Sequence, residues 1–134
     1  MDKIFNAVSV FIGVAGGILA GIFGQWDTAL WALVILMAMD YITGIIKAIY
    51  IKKLSSEEGY KGILKKITIL VIVALANVVQ VITGSAAAVR EIVIMFYIAN
   101  EGISVLENVA AVSTKMPAAL KNILLQLRDR NDVI

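Results

Sequence analysis

The chain alternates long apolar stretches with short polar ones, and the apolar stretches are too long to be strands. A helix rises about 1.5 Å per residue, so about 20 apolar residues cross the hydrocarbon core of a bilayer. Four stretches reach or approach that length: residues 4–24, 26–50, 63–84 and 86–112. The fourth is interrupted by Arg90, Glu91, Asn100, Glu101 and Glu107, so it fits either a span or an amphipathic helix lying on the membrane. Beyond it, Pro117 suits a first helical turn, and Leu120, Ile123, Leu124 and Leu127 share one apolar face. The pattern predicts an all-α integral membrane protein. A transmembrane helical domain fills residues 1–112, and a short amphipathic helix in the tail at 113–134 rests on the bilayer or on a neighbouring subunit.

Composition agrees. Of 134 residues, 60% are hydrophobic and 16% charged, and the mean hydropathy is +0.91. A soluble domain of this size needs far more polar surface. The absence of Cys and His removes disulfides, the common soft-metal sites and any Cys–His nucleophile pair. No nucleophile, metal cluster or phosphate loop accompanies the carboxylates, so neither enzymatic activity nor a cofactor is expected. A net charge of +2 gives no reason to expect nucleic acid as a partner.

The charges do report topology. Lys52, Lys53, Lys61, Lys65 and Lys66 crowd the second polar segment, and Lys115, Lys121, Arg128 and Arg130 the tail. The turns at Gln25 and Ser85 hold almost none. Lysine and arginine mark the cytoplasmic side, which puts both termini and the loop at 51–62 inside, with Trp26 and Tyr50 as interfacial anchors. Lys3 before an apolar, small-residue stretch also fits a signal peptide, though no clear cleavage pattern follows.

Two further patterns stand out within the spans. Gly13, Gly17 and Gly21 recur every fourth residue, and Gly16, Ala20 and Gly24 form a second row beside them. Small residues at this spacing let helix backbones touch, within one chain or between chains. Secondly, spans two and four run in the same direction, so depth pairs their charges. Asp27 meets Arg90 near the outer face, and Lys47 meets Glu107 near the cytoplasm. Asp40 and Glu101 share a level in the inner half, where a charge costs about 2.5–3.5 kcal/mol on insertion scales unless paired or hydrated. Lys47, protonation or water has to serve them. Arg90, Tyr97, Glu101, Ser104 and Asn108 fall on one helical face, suited to lining an aqueous lesion, to a bundle interior or to a surface-lying helix. Asn100 adds to the polar content of this span. In span three, Asn77, Gln80 and Thr83 read as polar contacts between helices.

Three stretches then resemble a known family. "WDTALWALVILMAMDYITGIIKAI", "KKLSSEEGYKGILKKI" and "FYIANEGISVLENVA" follow in the order found in the phage-lysis and toxin-secretion holins of Gram-positive phages and clostridia, from about Trp26 to Leu127. The resemblance implies a bacterial cytoplasmic-membrane protein that accumulates, self-associates and permeabilises the bilayer at a set time. Its functional partner would be a released endolysin or an exported toxin. It marks Asp40, Tyr41, Gly44, Asn100, Glu101 and Gly102 as family positions with assembly roles. A small membrane adaptor or antiholin-like regulator, forming no lesion, is the alternative, and an oligomeric transporter a third.

Overall fold

The computed structural model describes residues 1–84, 88–112 and 117–131. Five helices follow in order: α1 (Asp2–Phe23), α2 (Thr28–Tyr50), α3 (Ser56–Thr83), α4 (Val89–Ala111) and α5 (Ala118–Asn131). The first four are long and apolar enough to cross a membrane. The expected turn at Ser85 lies outside the described residues.

Helix ends follow local chemistry that hydropathy alone misses. The Asp27 carboxylate accepts from the Leu30 backbone N–H and starts α2. The Ser55 hydroxyl accepts from Glu58 N–H, with Glu57 and Glu58 in the first turn, so α3 begins about two turns before the predicted span. The expected loop at 51–62 therefore shrinks to residues 51–55, and Lys61 becomes helical. Within that loop Lys52 stands at φ 58°. Lys53 N–H reaches Ala48 C=O at 2.9 Å and Lys52 N–H reaches Ile49 C=O at 3.1 Å, which satisfies the last carbonyls of α2.

Helix α4 is central, packing along α2, α3 and α5. Leu30, Leu33, Met37, Val73 and Ile94 form the buried core, with Phe23, Tyr97 and Ile98 against it. The outward faces of α2 and α3 expose Ile42, Ile46, Ile49, Val71, Leu75 and Val78, as a lipid-facing surface does. Trp26 and Trp31 are exposed at one end, and Tyr50 and Tyr60 at the other, matching two interfacial belts. A helix this polar is stable here because its polar side is turned inward.

One helix stays outside the core, and another departs from expectation. No residue of α1 is buried; it packs along α3, and its last residue, Phe23, reaches the core. The tail helix α5 folds back onto α4 of its own chain rather than resting apart. Leu124 sits over Gly102, where an added Cβ would lie 2.9 Å from Leu124 Cδ2. Leu124 and Leu127 face inward, whereas Leu120 and Ile123 are exposed. The missing side chain at Gly102 makes the seat for Leu124.

Candidate functional site

The buried charges of α4 are held at two levels. At the tryptophan end, Arg90 is only 4% exposed. Its Nη1 donates to Asp27 Oδ2 at 2.7 Å, its Nε to Phe23 C=O at 2.7 Å and its Nη2 to Gln25 C=O at 2.9 Å. The Arg90 backbone N–H donates to Gln80 Oε1 at 2.9 Å, and Asn77 Nδ2 donates to Ile22 C=O at 3.0 Å. One guanidinium thus binds the end of α1 and the cap of α2, a use of its fixed fork that an ammonium cannot copy. The hydrogen bond from Arg90 holds the Asp27 carboxyl below its ordinary range, against the opposing effect of partial burial. The pair expected from depth is formed, but it serves as part of a larger clamp.

Gly24, the last residue of the second small-residue row, sits within this clamp against α3 and α4. It ends α1 at φ 82°, where a Cβ would lie 2.7 Å from Arg90 Nε and 2.8 Å from Asn77 Oδ1. Both the backbone angle and the close approach require glycine. Gly13, Gly16, Gly17 and Gly21 differ: nothing lies within 4 Å of a Cβ at any of them, and Ala20 is exposed beside them. Among the described residues these four glycines have open space beside them.

Midway down the bundle, Lys66 Nζ contacts Asp40 Oδ2 and Glu101 Oε2, each at 2.7 Å. Asn108 Nδ2 donates to Asp40 Oδ1 at 3.0 Å and to Thr43 Oγ1 at 3.0 Å. Three helices meet through this cluster, and the two acids are bridged by one cation. Sequence reasoning offered Lys47, protonation or water for that service, because Lys66 was counted with the second polar segment. The longer α3 lifts Lys66 to the level of the acids. Lys47 lines a cleft nearer the helix ends, Glu107 is exposed, and no ion pair joins them among the described residues. The Ser55–Glu58 capping pattern, placed beside the lysine spacing, carried the missed signal.

Most positions that the resemblance marks now have contacts. Tyr41 lies against Gly59 and Gly62 of α3, 3.3 Å and 3.5 Å from where a Cβ would stand. A Cβ at Gly44 would lie 3.7 Å from Asn108 Nδ2. Glu101 is 6% exposed, and Gly102 seats α5. Tyr97, Asn100 and Ser104 are half-buried, with the Tyr97 ring edge-on to Phe96 at 5.2 Å. The stripe of Arg90, Glu101 and Asn108 therefore faces the bundle interior. No group of three or more carboxylates suited to a metal occurs among the described residues.

Four apolar helices enclosing two satisfied charge clusters define a multi-pass helical membrane protein. The chain belongs to the bacteriophage holin family, whose model it matches over residues 17–129. It is 34% identical over 100 residues to a probable holin of Bacillus phage phi105, covering 75% of this chain and 74% of that one. An uncharacterized protein of Listeria monocytogenes is 44% identical over 110 residues, 82% of this chain and 79% of the relative. An uncharacterized 14.9 kDa protein of Clostridium perfringens is 38% identical over 131 residues, 97% of this chain and 99% of the relative. No solved structure matches.

Proposed function

We propose that the protein self-associates in the bacterial cytoplasmic membrane and permeabilises it, letting an endolysin or a large toxin leave the cell. Its role is physical rather than enzymatic. Both termini and the 51–55 connection face the cytoplasm in this reading, because lysines concentrate there. The observation that carries the proposal is the inward-facing charged stripe of α4 inside a bundle with an apolar exterior. Packed against α2 and α3, that stripe is compatible with lipid. If assembly parts α4 from its neighbours, Asp40, Lys66, Glu101 and Asn108 gain water and favour the open arrangement. Helix α1, without a packed face over most of its length, offers the assembly surface.

The test is dye release from liposomes containing the purified chain at increasing protein-to-lipid ratio. Release rising more steeply than linearly is expected of an oligomeric lesion. Retained dye at every ratio, with the protein inserted, would favour the adaptor or antiholin-like role instead.

A further inference from the structure

A cleft of about 600 Å³ opens where α2 ends and α3 begins. Lys47, Lys53 and Lys65 line it, and Lys66 forms its inner wall. The two carboxylates at Lys66 already outnumber its charge, so that cluster offers the cleft no surplus cation. Among the described residues the other three lysines have no ion-pair partner, and Glu58 is the only further carboxylate in the lining. An ammonium has three N–H donors; Lys66 uses two on Asp40 and Glu101. The N-terminal turn of α3, capped by Ser55, also reaches the cleft and adds its positive dipole end. Ile45, Ile51 and Leu54 complete the lining, and the last two are exposed at the rim.

We infer that this cleft binds the phosphate of an anionic phospholipid headgroup. Charge calls for an anion, and three lysines lining one cleft beside a helix N-terminus suit a phosphate. The apolar rim calls for an amphiphile, because a free phosphate has no use for exposed Ile51 and Leu54. Position agrees, since the cleft opens at the lysine-rich ends of membrane-crossing helices, where headgroups lie. The site depends on the fold and not on lesion formation.

Native mass spectrometry of the full chain, released from nanodiscs of phosphatidylcholine with added phosphatidylglycerol, reads the site directly. One retained phosphatidylglycerol per chain is expected, displaced little by excess inorganic phosphate or glycerol phosphate. A lysine near a membrane surface contributes about fivefold in affinity, so Lys47→Gln and Lys65→Gln should each weaken retention by about that factor. Lys61→Gln is the control, because Lys61 pairs with Glu57 at 3.1 Å outside the cleft; it should change retention less than twofold. Equal losses in all three variants would overturn the cleft in favour of diffuse surface charge. Equal retention of the two lipids would overturn the anionic requirement, and displacement by inorganic phosphate would make it a site for free anions.

Discussion

Lys66→Met removes both 2.7 Å contacts of the three-helix cluster in one step. Methionine matches the length of the lysine stem, so packing is nearly conserved and the change reads the charge. The two acids are not stranded equally. Asp40 keeps its 3.0 Å bond from Asn108, whereas Glu101 is 6% exposed and loses its cation. Breaking a buried pair by removing one partner costs about 3–5 kcal/mol, and most of it should fall on Glu101. Lys66→Met/Glu101→Gln should therefore recover more stability than Lys66→Met/Asp40→Asn. Neutralising all three positions should return to within about 2 kcal/mol of the parent, since a whole cluster is replaceable where half of one is not. Denaturation in mixed micelles, followed through Trp26 and Trp31 fluorescence, gives the ranking; membrane abundance gives it again if Lys66→Met fails to insert. A loss below about 1 kcal/mol for Lys66→Met, or the reverse order of rescue, would refute Lys66 as the shared counterion.

Asp40→Asn and Glu101→Gln should insert at least as well as the parent but delay lysis, because the open arrangement gains less solvation; normal abundance with normal timing in both would end that idea. Exchanging charges as Asp27→Arg/Arg90→Asp should fail to restore the protein. An acid at position 90 faces the Phe23 and Gln25 carbonyls without a donor, so recovery of assembly would contradict the clamp. Since the Asp27 carboxyl is held below its ordinary range, the stability it adds is complete above about pH 4. That contribution is lost only as pH falls through the lowered value, and unfolding midpoints of parent and Asp27→Asn should converge in strong acid. Gly17→Leu meets open space and should leave monomer stability alone while changing crosslinked oligomers or lysis onset; if neither moves, α1 does not carry assembly. Single cysteines at Gln25 and Ser55, clean because the chain has none, map topology. Labelling of Ser55 from outside intact cells would invert the orientation.

Much of this fold was legible because hydropathy and helix length state it directly. Depth counting brought Asp27 to Arg90 and Asp40 to the level of Glu101, since parallel helices keep register. The lysine between the acids was not visible, because Lys66 sits four residues inside a hydropathy boundary that the Ser55 cap had already moved. Gly24 read as one more small residue, although its role lies in a backbone angle that composition does not encode. The docking of α5 escaped for a related reason. Its apolar face was evident, but the seat is an absent side chain at Gly102, and an absence shows only when the partner is in place.

The clamp at Arg90 has a consequence for symmetry. It fixes the direction in which α1 leaves the bundle, although no residue of α1 is buried. If the chain self-associates as proposed, an arm held at a set angle turns each subunit by the same rotation relative to the next whenever it is used head-to-tail. Repetition of one rotation either closes into a ring of definite number or runs on as an open arc. A few degrees at Gly24 and Arg90 would then decide between a bounded hole and a growing raft, well away from any residue that lines either.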